Sequence, residues 1–301
     1  MFAIWPCVLQ AEEKPRVDVW IINTRCAPVS GDLEKGKERI RYWRLGEKRQ
    51  WDAAEAVSFA ESGEKNTPTI FLFHGNRTTD DEAVPFAWPI YRWLYKQAGE
   101  RPYRVVIWSW PSTLIYKRTR PDVQLKACYC DSQGYYLADC LRSMKSETPI
   151  GLIGYSLGAR IITGGLHLLG GGTLADQRLP AADAAETSRK RGGPIRAFLV
   201  AAALDCHALA PGQQYGEATS QVEEMLVTWN GCDNALRWYP LLYGRGGPQA
   251  LGYAGPCCGN QENIRLFDVT YSIGKEHHWE GYIDCSCLFD VLPRYVFAEE
   301  K

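Results

Sequence analysis

The sequence predicts an α/β protein, a doubly wound and mostly parallel sheet with helices on both faces. Three observations point there. Seven short apolar runs recur along the chain, most of them continuous rather than alternating, as strands covered on both faces are. Longer segments with apolar residues at helical spacing lie between them. Strand-like and helix-like segments alternate, the order that builds βαβ units and one sheet.

The strand-like runs are Val17–Asn23, Thr69–His74, Arg104–Trp110, Ile150–Tyr155, Ile195–Ala202, Glu224–Trp229 and Ile264–Val269. Asp81–Gln97 reads as the helix after the second run, and Asp122–Met144 as the helix after the third. Leu125, Tyr129, Tyr136, Leu137 and Leu141 recur near helical spacing in the latter. Leu157–Leu169 follows the fourth run, and Trp279–Tyr295 reads as a closing helix. The stretch 170–193 opens with three glycines and ends on Arg189-Lys190-Arg191-Gly192-Gly193, a surface excursion whose basic trio reads as solvated. Gly244–Gly259 reads as an irregular glycine-rich loop. With no repeat and no composition break, the 301 residues are expected to form one domain.

Composition narrows the function. Apolar residues make up 46%, enough for a sizeable core. Lys+Arg is 34 against Asp+Glu 35, so no basic excess argues for nucleic acid or an anionic membrane surface as partner. No run reaches transmembrane length, and no integral membrane segment is expected. Met1 to Ala11 is apolar and precedes Glu12-Glu13-Lys14; within residues 1–15 it reads as a signal remnant or an N-terminal extension. The 11 cysteines include no C-x-x-C pair, which argues against a zinc ribbon or thioredoxin-type site. Reduced thiols in a cytoplasmic enzyme and disulfides in an exported one both fit them.

The segment richest in chemistry is Gly154-Tyr155-Ser156-Leu157-Gly158, which follows an apolar strand and opens a small-residue helix. A serine on so sharp a strand-to-helix turn needs a backbone conformation that clashes with neighbouring side chains, and Gly154 and Gly158 remove those clashes. The turn lifts the hydroxyl above the carboxyl ends of the strands, where open α/β sheets take their ligands. The alternative is a structural βα turn with an incidental serine.

A serine hydroxyl needs a base, and the base an orienting acid. Four of the five histidines follow Ser156. His167 falls inside the following helix and His207 after the fifth run. His277 and His278 follow the last strand, where this architecture delivers its base; His277 is favoured because His278 could open the next helix. Asp233 follows Glu224–Trp229 and is the leading acid, with a helix N-cap as its competing role. Asp205 is the runner-up. The oxyanion would be held by two backbone N–H groups, that of Leu157 and that of Asn76 in Phe73-His74-Gly75-Asn76, with Gly75 permitting close approach. His74 is expected to orient this loop rather than to act as a base.

These residues resemble the α/β-hydrolase superfamily. Within it they are similar to a bacterial branch of unassigned hydrolases, with its strand ending in His-Gly, its Ser-Trp-Pro-Ser segment and its Gly-x-Ser-x-Gly elbow. The matching pieces are His74-Gly75, Ser109-Trp110-Pro111-Ser112 and Gly154 to Gly158. Asp233-Asn234-Ala235-Leu236 is similar to the branch's acid-bearing segment, and His277-His278-Trp279 to its final histidine before an aromatic residue. Tyr155 departs from the histidine common beside the nucleophile. The resemblance runs from Thr69 to Val291. It implies the fold and a serine-hydrolase mechanism but no substrate; the residues themselves are expected to act on a small ester-like substrate, without metal or organic cofactor. An acyltransferase using the same triad, or a vestigial fold kept for binding, would carry the same motifs.

Overall fold

The computed structural model describes residues 16–64, 67–180, 192–244, 246–257 and 262–297. The expected signal remnant at 1–15, the core of the 170–193 excursion and part of the Gly244–Gly259 loop lie outside them.

In chain order the structure runs β1 (Val17–Asn23), α1 (Leu33–Gly36), β2 (Arg41–Leu45), β3 (Trp51–Ala54), α2 (Ala56–Glu61), β4 (Thr69–Phe73), α3 (Ala83–Gln97), β5 (Tyr103–Ser109), α4 (Thr119–Ser143), β6 (Ile150–Tyr155), α5 (Leu157–Leu169), β7 (Ile195–Val200), β8 (Glu224–Trp229) and β9 (Ile264–Asp268). Short helices follow, at Thr270–Ile273, Trp279–Ile283, Ser286–Val291 and Pro293–Val296. The nine strands form one sheet in the order β3-β2-β1-β5-β4-β6-β7-β8-β9. Every pairing from β1 to β9 across the sheet is parallel; only β2 and β3 run antiparallel to their neighbours. This is the doubly wound class expected, in the arrangement of the α/β-hydrolase fold.

The central strands show why it is covered on both sides. All five residues of β4 and all seven of β5 are buried, so neither face meets water. In β6, a Cβ added at Gly151 would lie 2.7 Å from the Tyr295 carbonyl oxygen, and one at Gly154 would lie 2.6 Å from Ile162 Cδ1. Residues of opposite parity point to opposite faces of a strand. One face of β6 therefore packs on the C-terminal helices and the other on α5. Gly134 of α4 and Gly164 and Gly165 of α5 let these two helices meet backbone to backbone, a Cβ at Gly134 falling 3.0 Å from Gly164 C. On the α3 side, Trp279 packs on Phe86 with ring centroids 4.5 Å apart and donates from Nε1 to the Phe86 carbonyl at 3.0 Å.

Two expectations are corrected. The sheet has nine strands rather than seven, because the β2–β3 pair is half-exposed and mixes charged with aromatic residues, which blurs the apolar run. The expected helix Trp279–Tyr295 is three short helices. Its first stops at Asp284, and Pro293, which lacks an N–H, starts a new turn after Leu292.

Candidate active site

Ser156 sits between β6 and α5 with φ 54° and ψ −116°. A non-glycine residue holds that region only where its surroundings fix it. The fixing is visible. Ser156 N donates to Val200 O at 2.9 Å, and Ser156 O accepts from Ala159 N and Ala203 N, each at 3.2 Å. The glycines are required sterically. A Cβ at Gly158 would lie 2.4 Å from Phe73 O, one at Gly154 would lie 2.8 Å from Ala159 N, and one at Gly75 would lie 2.9 Å from the Tyr155 ring.

His277 arrives from the far edge of the sheet. After β9 and the helix Thr270–Ile273, the chain reverses at Gly274, where φ is +64°. Asn230 Nδ2 donates to Gly274 O at 2.8 Å, and Asn234 N to Lys275 O at 3.3 Å, which ties this loop to the one after β8. The Tyr155 hydroxyl donates to the His277 carbonyl oxygen, which ties it to the elbow. The result is an imidazole with Nε2 3.3 Å from Ser156 Oγ and Nδ1 2.8 Å from Asp233 Oδ2.

Asp233 is fully buried, and its two oxygens divide their work. Oδ1 accepts from Ala235 N and Leu236 N, each at 2.8 Å. Oδ2 accepts from His277 Nδ1, with the Tyr282 hydroxyl donating to the same oxygen at 3.4 Å. The turn-closing role and the imidazole-orienting geometry thus coexist in one carboxylate. A carboxylate accepting at Nδ1 places the ring proton there and leaves the Nε2 lone pair facing the serine hydroxyl. Ser156 is 7% exposed and the His277 side chain 21%, so the serine–imidazole edge of the array meets solvent while Asp233 does not.

The other expected residues fall as follows. His278 is exposed and precedes the helix Trp279–Ile283, and the imidazole hydrogen-bonded to Ser156 is that of His277. Asp205 Oδ1 accepts from His207 N at 2.8 Å and closes a local turn instead of reaching His277. His167 is buried in α5, its Nδ1 accepting from Glu217 N at 3.1 Å. Among the described residues, the N–H groups of Asn76 and Leu157 donate to no protein acceptor. His74 is fully buried and stacks on Trp110, with centroids 5.5 Å apart. Trp110 N donates to its Nε2 at 3.3 Å, and its Nδ1 lies 3.0 Å from Gly75 O. Burial, opposed by the Gly75 hydrogen bond and assisted by nearby Arg25, pushes its pKa down to about 3, so it stays neutral.

Sequence reasoning missed Asp122, a buried residue at the start of α4. Its Oδ1 accepts from Ile115 N and Tyr116 N at 2.9 and 3.0 Å, while Oδ2 faces Asn76 Nδ2 at 3.4 Å. Burial favours its neutral form, but the Tyr116 and Ile115 amides, Asn76 and Lys126 outweigh it and lower its pKa. No local pattern distinguishes such an aspartate from an ordinary first-turn residue.

One group of possible metal ligands occurs among the described residues, Cys206, His207 and Cys257, with ligand atoms within 4.8 Å of one another. The two sulfurs are joined as a disulfide, which leaves no thiolate to bind an ion.

No family model matches the chain, and no curated protein matches it. Among solved structures, the chain is similar to acyl-protein thioesterase 2 of Zea mays, at 12% identity and a TM-score of 0.41, over 78% of this chain and 95% of that one.

Proposed function

We propose that the protein is a serine hydrolase that cleaves a carboxylic ester or similar acyl bond. One observation carries the reading: a serine in a constrained elbow has its Oγ 3.3 Å from an imidazole whose other nitrogen is held at 2.8 Å by a buried carboxylate. Ser156 attacks the acyl carbonyl as His277 Nε2 takes its proton. Asp233 fixes the tautomer and stabilises the imidazolium that forms. The unengaged amides of Asn76 and Leu157 receive the oxyanion, assisted by the N-terminus of α5. His277 then returns the proton to the leaving alcohol, and water, activated by the same ring, releases the acid from the acyl-enzyme. Asp122 supports the oxyanion loop through the Asn76 amide.

The reading is tested with a fluorophosphonate probe. Covalent labelling at Ser156, lost in Ser156→Ala, is the expected result, with turnover of a p-nitrophenyl ester falling by ~10⁴-fold or more in that variant. An unlabelled wild-type protein would leave the fold as a vestigial scaffold.

A further inference from the structure

Ten large apolar side chains of the described residues are exposed, and six of them lie in two segments at one rim of the sheet. Leu114, Ile115 and Tyr116 follow β5; Trp238, Leu241 and Tyr243 follow β8. Each is between 47% and 59% exposed. Both segments leave the carboxyl ends of strands parallel to β6, the rim that carries Ser156. The second segment rests on α4, the helix that follows the first, and on α5: Gln124 Nε2 of α4 donates to Leu242 O at 2.5 Å, and Arg160, one turn into α5, reaches the Tyr243 hydroxyl at 3.4 Å. The first segment is held in place from below, since Ile115 N and Tyr116 N both donate to Asp122.

Within the two segments the charge has one sign, while the neighbouring loop after β4 carries exposed Asp80, Asp81 and Glu82, the first of them paired with Arg25. Lys117, Arg118 and Arg120 are exposed and continue the first segment, and no acidic residue lies between Ser112 and Pro121. In the second, Arg237 is the one charged residue from Asn234 to Gly244, its guanidinium 5.3 Å from the Trp238 ring centroid. Aliphatic tips, Trp and Tyr rings and unneutralised cations are the set that an anionic lipid interface takes up. The apolar parts leave water, the rings sit at headgroup level and the cations meet the phosphates. The balanced charge of the whole chain hides this local asymmetry.

We propose that this rim docks on the surface of an anionic lipid bilayer, presenting Ser156 to esters held in the lipid phase. The substrate consequence rests on the hydrolase reading; the docking itself does not. The test is therefore run on Ser156→Ala as well as wild type, by co-sedimentation with vesicles of phosphatidylcholine alone and of phosphatidylcholine doped with phosphatidylglycerol. Both proteins should pellet with the doped vesicles and release as salt is raised. Reversing all three cations (Lys117→Glu, Arg118→Glu, Arg120→Glu) should weaken binding on the order of a hundredfold, about fivefold for each cation removed from the surface and more for reversal. Trp238→Ser should cost about tenfold. Hydrolysis of a water-soluble ester should be unchanged in these variants, which separates docking from chemistry. Equal pelleting with both vesicle types, insensitivity to charge reversal, or a lipid-free dimer that Trp238→Ser dissolves would overturn the proposal.

Discussion

Two histidines flank the elbow, and their surroundings differ in every respect that matters to a proton. His74, on the early-strand side, is sealed beneath Trp110, with one ring nitrogen accepting from a backbone amide and the other beside a carbonyl. His277, on the late-strand side, has one nitrogen on a carboxylate and the other on a hydroxyl at the solvent edge. The first has no anion to support a positive charge; the second has Asp233. The same side chain is thus a fixed spacer in one place and, in the other, an imidazole held between a carboxylate and a hydroxyl. The partner of Nδ1, more than the imidazole itself, sets the difference.

Removing that partner should have the largest effect. Asp233→Asn keeps the volume but offers an amide to Nδ1, and turnover of a p-nitrophenyl ester should fall by ~10³–10⁴-fold with little change in KM. A loss of less than tenfold would detach Asp233 from the chemistry. Gly158→Ala probes the support that both sides share. Its Cβ would meet the Phe73 carbonyl oxygen at 2.4 Å, so urea unfolding should show a loss of about 1–3 kcal/mol.

The buried histidine gives the next effect. The folded pKa of His74 lies below the unfolded value, so at neutral pH and above it contributes nothing to the pH dependence. Below the unfolded value the denatured chain binds the extra proton, and stability drops until pH reaches about 3. Between pH 7 and pH 5 this amounts to about 2 kcal/mol. Denaturation curves of wild type should show that increment and those of His74→Gln should lack it. Smallest of all, His278→Ala should leave turnover within about twofold, because an exposed residue away from special contacts has little influence. A larger loss would return the choice of base to the adjacent pair.

The comparison also explains what could be read from the sequence. β4 to β8 were legible because strands buried on both faces must be continuously apolar, and the elbow was legible because its glycines answer a local steric demand. Leu157–Leu169 was placed to the residue, its start fixed by the elbow and its end by Gly170. The hairpin β2–β3 was not legible, since its exposed edge tolerates Arg41, Arg44 and Asp52. Nor were the contacts that position His277. The Tyr155 hydroxyl reaches across 122 residues of sequence and Asn230 across 44, and such pairings follow from strand order, which no local pattern encodes. Position after β9 narrows the candidate base to two neighbours and the expected helix start favours His277; the turn at Gly274 and the helix starting at Trp279 place His277 beside Ser156.

The Cys206–Cys257 bridge spans 51 residues, and β8 with Asp233 lies inside that span. The stretch bearing the acid is therefore a covalent ring clasped near the end of β7, whereas the serine belongs to an open part of the chain. Closing a ring of this size removes about 4 kcal/mol worth of freedom from the denatured chain. A thiol reductant would return that freedom to the denatured chain, so the whole fold, and with it the serine, the imidazole and the carboxylate together, would lose stability of about that size.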